Sequence, residues 1–423
     1  MHVTYEPLSP QYRADPFPVY RDLRDHDPVH FAPESKCYCV SRYEDVLSVL
    51  KNPEQFSSRA MFTMLMNGGE EAGPTLSWDA IKFLFRYAIG VRLNPFMFVT
   101  ARNLIAADAP EHGPMRGIVN RGFTPQQMAS WEPRIREIVA EQIAPLAAGD
   151  CYDVVRDLAI PVPVRIIAEM LGVEAERVAD FKRWSDGIIS GATGERRSNR
   201  FHPETVRTIL ELNGYLRKII LERRRHPADD LISTILAAET DGDALSVIEI
   251  VLFVQLLLLA GNETTTNLIG NAATALLDNP DQLDRVNKDP ALIPGALDET
   301  LRFESPIQLV FRTARGGAEI AGTPIPDGAV VALLLGSANR DERQFDSPDT
   351  FDIERKTQGH LGFGFGAHFC LGSSLAKLQA RVALEGLVPH LPRLQRRTTD
   401  RKLVDSFLVR GSSRLELDAR ASM

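Results

Sequence analysis

Near the C-terminus, the ten residues Phe363-Gly364-Phe365-Gly366-Ala367-His368-Phe369-Cys370-Leu371-Gly372 set a single thiol in a glycine-rich turn. Gly364 and Gly366 permit a tight, bulged backbone that can lie close to a flat ligand. Cys370 falls just ahead of a helical stretch, Leu375 to Leu387. The unpaired N–H groups and dipole of a helix N-terminus favour an anion there, so the thiolate that metal ligation requires is favoured at Cys370. The plainer alternative is a buried core cysteine beside a turn. A dinucleotide-binding fingerprint is excluded, because Phe369 stands where G-x-G-x-x-G, begun at Gly364, needs its third glycine.

A second constellation, Ala260-Gly261-Asn262-Glu263-Thr264-Thr265, interrupts an apolar run with hydroxyls and a carboxyl. Polar groups in a buried helix are costly. One reading has Gly261 admitting a close neighbour while Glu263 and Thr264 deliver protons into an apolar cavity. The other has the threonines bonding to carbonyls one turn back while Glu263 reaches solvent. A third pattern, Glu299-Thr300-Leu301-Arg302, puts a carboxylate and a guanidinium on one helix face. Alone it says little, since exposed pairs of this kind contribute only a few tenths of a kcal/mol.

The elements that must position these residues are mostly helical. Apolar residues recur at helical spacing in Tyr43 to Leu50, Met128 to Leu146, Ile166 to Leu171, Ile209 to Leu221 and Leu375 to Leu387. Strand-like stretches are short: Val29 to Phe31, Tyr38 to Val40, Val310 to Thr313, Glu319 to Ile325 and Ala329 to Leu334. The longest helix has legible ends. Ser246-Val247-Ile248-Glu249 is a capping-box pattern, and Asp278-Asn279-Pro280 supplies a stop, which gives a rod of roughly 48 Å. Between Ile250 and Ala260 it is apolar almost all round, so an interior course is expected. That run is far shorter than the ~20 residues of a membrane span.

The chain has 423 residues, with 48 Lys and Arg against 56 Asp and Glu, a formal net charge of −8 that argues against binding nucleic acid through its phosphates. No linker, repeat or low-complexity tract suggests a boundary, so one large domain, 1–423, is expected. The four cysteines are too few for a disulfide framework and match no zinc spacing. Cys37 and Cys39 would share one face of a short strand as structural residues. The N-terminus has no signal-peptide pattern, and a cytoplasmic location follows by default.

Together, in order and spacing, these stretches resemble the cytochrome P-450 superfamily over nearly the whole length. Its haem loop, F-G-x-G-x-H-x-C-x-G, is matched from Phe363 to Gly372. Its long-helix motif, [AG]-G-x-[DE]-T-[TS], is matched from Ala260 to Thr265, and its E-x-x-R is Glu299 to Arg302. The resemblance implies a mainly α fold with a minor antiparallel β-sheet, and haem b (iron protoporphyrin IX) between the long helix, about 246–278, and the Cys370 loop. Cys370 would be the iron ligand. Ala260, Gly261, Phe363, Gly364 and Gly372 would lie against the haem, and His112, Arg116, Arg312 and His368 would hold its propionates. Glu263 and Thr264 would manage protons, while Glu299, Arg302 and Arg355 would form scaffold and not catalyse.

The implied activity is a monooxygenase that activates O2 with two externally supplied electrons and hydroxylates or epoxidises an apolar molecule such as a terpenoid, steroid, fatty acid or polyketide. A separate ferredoxin and ferredoxin reductase would supply the electrons, with Arg116, Arg121, Lys377 and Arg381 as a positive docking surface. The alternatives are a peroxide-driven haem enzyme, whose kind generally replaces the acid and threonine kept here, and a haem-based sensor or carrier. The chain departs from the family pattern between Ser58 and Ala107, a stretch longer than usual and rich in Met and aromatic residues. It is expected to act as a lid over a bulky, apolar substrate, or else to form a satellite core or an oligomer contact.

Overall fold

The computed structural model describes residues 3–67, 82, 85–87, 89, 91, 101–148, 151–193, 203–238, 244–398 and 400–419. Within the expected lid, Ser58 to Ala107, most of 68–100 therefore lies outside the described residues. The chain forms two compact units: Met1–Phe56, Pro125–Pro163 and Glu263–Met423 make the first, and Ser57–Thr124 with Val164–Asn262 the second.

The first unit contains the sheets. β1 (Val29–Ala32), β2 (Cys37–Val40), β3 (Phe56–Ser57), β5 (Val310–Ala314) and β8 (Val330–Leu333) form a five-stranded sheet in the order β1-β2-β8-β5-β3. β2 runs parallel to β8 and the β1–β2 and β5–β8 pairs are antiparallel, with Val40 opposite Leu333 and Val29. Val40, Val331 and Leu333 are fully buried in the sheet core with Val46 and Ala338. Cys37 and Cys39 are buried on β2 as alternation requires. The expected strand Glu319 to Ile325 is a hairpin, β6 (Ala318–Ile320) and β7 (Thr323–Ile325). Ala321 and Gly322, at φ 50° and 80°, turn the chain between them. Three further strands, β4 (Tyr152–Asp153), β9 (Leu394–Arg396) and β10 (Glu416–Ala419), make a second sheet too short to show as periodicity.

The C-terminal helix, Ser373–Leu387, packs on Glu132–Ala148 and Ile293–Phe303. A side chain at Gly386 would meet Val139 at 2.9 Å, so a glycine lets those two helices approach. The predicted helix Met128 to Leu146 is two, Pro125–Ser130 and Glu132–Ala148, separated at Trp131. Pro133 has no N–H to continue a preceding helix and favours the first turn of a new one.

The second unit is helical. Val178–Thr193 lies along Pro203–Arg225, joined by the Trp184 indole donating to Glu211 at 3.0 Å. Met61 and Met64, on the helix Arg59–Asn67, are buried.

The long helix runs Val247–Asp278. Its capping box forms as the sequence predicts: Ser246 N–H donates to Glu249 at 2.8 Å, and Glu249 N–H to Ser246 Oγ at 3.4 Å. From Thr265 to Leu276 every residue is buried. In the N-terminal half Ile250, Val251, Val254 and Leu258 are covered, while Leu252, Leu256 and Leu259 are half-buried and Ala260 is exposed. The whole helix is long and apolar enough to span a membrane, and half of its most apolar window is buried within the fold. Core helices of globular proteins pass the same test of length and composition.

Candidate active site

The Cys370 loop is built by three backbone bonds. Gly364 N–H donates to Leu361 O at 2.9 Å, Phe369 N–H to Gly366 O at 3.0 Å, and Cys370 N–H to Phe363 O at 2.9 Å. The last folds the segment back on itself and sets the thiol against the turn. Gly364 and Gly366 take φ values of 70° and 74°, the left-handed region. At Gly366 a side chain would also stand 3.1 Å from Leu50 O, so both conformation and space call for glycine there. Gly372, two residues beyond a half-buried Cys370, caps the helix Ser373–Leu387. The rings of Phe365 and Phe369 are 41% and 43% exposed beside it.

This donor set fits a haem. One thiolate cannot hold a bare ion, and among the described residues no three His, Cys, Asp or Glu side chains cluster as ligands, so iron bound at Cys370 must bring its remaining ligands in a macrocycle. The Phe369 ring, packed on Phe363 with centroids 6.2 Å apart and still part-exposed, suits the apolar face of such a group.

What holds the loop is buried behind it. Arg302 donates to both oxygens of Glu299 at 2.8 Å, and both side chains are fully buried. Glu299 also accepts from Asp352 N–H at 2.9 Å and Arg355 at 3.2 Å. Arg302 donates further to the carbonyls of Asn339 at 3.0 Å and Pro348 at 2.9 Å. Asn339 in turn accepts Leu361 N–H through Oδ1 at 2.6 Å, at the foot of the Cys370 loop. A side chain at Gly362 would meet Leu301 O at 2.8 Å. Motif spacing made the E-x-x-R pair legible; Asn339, which relays it to the loop, carries no local signal and was missed.

On the long helix, Ala260, Gly261, Glu263 and Thr264 fall within about a turn and a half. The close approach that Gly261 permits is that of Ile167, whose Cδ1 would lie 2.8 Å from an added Cβ. Asn262 points elsewhere, donating to Ser185 at 2.6 Å. Glu263 is half-buried, and burial pushes its carboxyl up to about 7. Thr266, one turn further on, donates to Ala159 O at 3.0 Å.

Of the expected propionate ligands, Arg312 sits buried on β5, donating to Phe311 O at 2.8 Å, and His368 ends the turn Gly366–His368. Both belong to the first unit. His112 and Arg116 lie in the second, on His112–Asn120. His112 is buried, and burial, then the charge of Arg116, hold its pKa below the ordinary value against the pull of Asp108. The loop before it is fixed by Asp108, which accepts from Ser57 Oγ at 2.5 Å and Ser58 N–H at 2.9 Å. The expected positive docking surface is largely compensated on the C-terminal helix. Lys377 meets Asp298 at 2.6 Å, and Arg381 meets Glu132 and Glu385, each at 2.7 Å.

The cytochrome P450 family profile matches residues 94–415. The vitamin D(3) 25-hydroxylase of Pseudonocardia autotrophica is 36% identical over 414 residues, 96% of this chain and 94% of its own. Cytochrome P450 CYP109Q5 from Chondromyces apiculatus superposes with a TM-score of 0.84 at 37% identity, covering 100% of both chains. CYP109E1 from Bacillus megaterium, in complex with corticosterone, gives 0.82 at 33% identity over 97% of this chain and 100% of its own. With the thiol loop, the buried Glu299–Arg302 brace and these likenesses in agreement, the chain belongs to the cytochrome P450 family and is a haem-dependent monooxygenase.

Proposed function

We propose that this enzyme hydroxylates or epoxidises a bulky apolar molecule of steroid or terpenoid type, with fatty acids and polyketides the next classes. The observation that carries the reading is the stripe of Leu252, Leu256, Leu259 and Ala260, incompletely covered by protein and running along the long helix toward Glu263 and Thr264. Such a wall favours apolar ligands and keeps water from the reacting centre. Two similar proteins named for a sterol-derived substrate and a bound corticosteroid support the class.

Cys370 would hold haem b, which would supply the oxygen activation. Ala260, Gly261, Phe363, Gly364 and Gly372 would lie against it, and His112, Arg116, Arg312 and His368 would receive its propionates as cationic or hydrogen-bonding partners. Glu263, with a carboxyl near neutrality, both takes up and gives up a proton at working pH. The Thr264 hydroxyl beside it passes that proton on. The Glu299–Arg302–Asn339 brace keeps the thiol in place. Electrons come from a separate ferredoxin and its reductase, and the chain works as one catalytic domain in the cytoplasm.

The test is optical. Carbon monoxide added to the dithionite-reduced protein should give a strongly red-shifted Soret band, and a panel of steroids and terpenoids should perturb the oxidised Soret band saturably. A histidine-like carbonyl band would overturn the Cys370 assignment. Saturable shifts with fatty acids alone would overturn the substrate class and leave the ligand assignment standing.

A further inference from the structure

A polar side chain interrupts the uncovered stripe of the long helix. Leu252, Gln255, Leu256 and Leu259 are all half-buried, and their spacings of three and four residues put them on one face. The same spacing carries that face on from Leu259 to Glu263. Gln255 is the polar member of this otherwise apolar set.

The Gln255 amide is held from behind. Its Nε2 donates to Asn213 Oδ1, and Asn213 Nδ2 donates to Tyr87 Oη at 3.1 Å. Asn213, on the helix Pro203–Arg225, is fully buried, and Tyr87 is 1% exposed. Tyr87, Asn213 and Gln255 all belong to the second unit. A buried asparagine with both ends of its amide engaged fixes which end of the neighbouring amide it takes. With its nitrogen drawn to Asn213, Gln255 offers its carbonyl oxygen. That Oε1 accepts no hydrogen bond from any described residue, and it is open to a water-sized neighbour, unlike the sealed Oδ1 of Asn262 two turns on.

We propose that Gln255 determines specificity by accepting a hydrogen bond from a hydroxyl group of the substrate, so that the preferred ligand is a steroid- or terpenoid-type alcohol. The inference rests on the apolar-substrate reading above and narrows it. In an apolar wall a single acceptor discriminates well, because a ligand without the matching donor leaves Oε1 unpaired once water is excluded. A ketone in the same place sets two acceptors against each other. Along the helix axis Gln255 stands about 12 Å before Glu263. A rigid substrate anchored there carries its hydroxyl at the end remote from the reacting carbon.

The experiment is optical titration of the oxidised, haem-loaded enzyme, following the Soret band, with three saturated androstanes that differ at one ring-A carbon: the equatorial alcohol, the ketone and the hydrocarbon. The alcohol is expected to bind about tenfold more tightly than the ketone. In Gln255→Met, close to glutamine in size, and in Tyr87→Phe, which lets the Asn213 amide turn over, alcohol and ketone should bind alike. The reduced carbonyl spectrum of each variant should match the parent's, showing an intact haem site. Equal affinities for alcohol and ketone in the parent, a preference for the ketone, or an alcohol preference that survives in both variants would overturn the proposal. The first two are read on the parent enzyme and need no variant. A saturable shift with the hydrocarbon in those cases leaves the apolar-substrate reading standing, whereas no saturable shift with any of the three would overturn both.

Discussion

Glu263 and Thr264 are where single residues set the chemistry. A carboxyl raised to about 7 by burial binds its proton more tightly in the folded chain than in the unfolded one. The folded state therefore loses relative stability as pH rises from the ordinary carboxylate range through 7, when a half-buried negative charge must be carried. Glu263→Gln should remove that slope. By pH 8 the variant is expected to exceed the parent by up to about 3 kcal/mol in urea unfolding, with the gap closing at pH 5. An unchanged gap across that range would show that burial does not govern this carboxyl. Thr264→Ala is expected to keep consuming reduced cofactor while releasing peroxide in place of product, measured as the ratio of peroxide to cofactor oxidised. Full coupling in that variant would remove the proton-relay role.

At the scale of elements, the tolerances are set by close approaches and buried pairs. Gly261→Ala would drive a methyl group to 2.8 Å from Ile167 Cδ1. Because the neighbour is the tip of a side chain, a loss of about 1–3 kcal/mol is expected, and Ile167→Val should recover much of it in a double-mutant cycle. No recovery would place the strain elsewhere. The Glu299–Arg302 pair is less forgiving, since removing one partner strands a charge that is fully buried. Arg302→Ala is expected to lose about 3–5 kcal/mol and most of its bound haem, read as the ratio of Soret to protein absorbance. The haem loss follows from the route through Asn339 to Leu361, which a stability measurement alone would not report.

For the molecule as a whole, charge compensation shapes how partners meet it. Lys377 and Arg381 each sit within 2.7 Å of a carboxylate, so neither presents a bare positive charge. Lys377→Ala is accordingly expected to change the rate of reduction by a ferredoxin less than about twofold, because paired surface charges contribute little. A large, salt-sensitive fall measured by stopped flow would restore the C-terminal helix as a docking surface.

Much of the site was legible in the amino-acid sequence because its signals are local. The glycines around Cys370, the Ser246–Glu249 cap, the Asn279-Pro280 stop and the spacing of Glu299 from Arg302 each depend on a few neighbouring residues. Backbone conformation and helix periodicity convert such spacing directly into structure. Contacts between distant segments decided the rest. Tertiary packing alone chose Ile167 as the neighbour of Gly261, made Asn339 the link to the thiol loop, and brought Asn213 to Gln255. It also left Leu252, Leu256 and Leu259 partly uncovered on a stretch that is apolar almost all round, since which face a neighbour covers depends on where the chain returns, and hydrophobicity has no direction of its own.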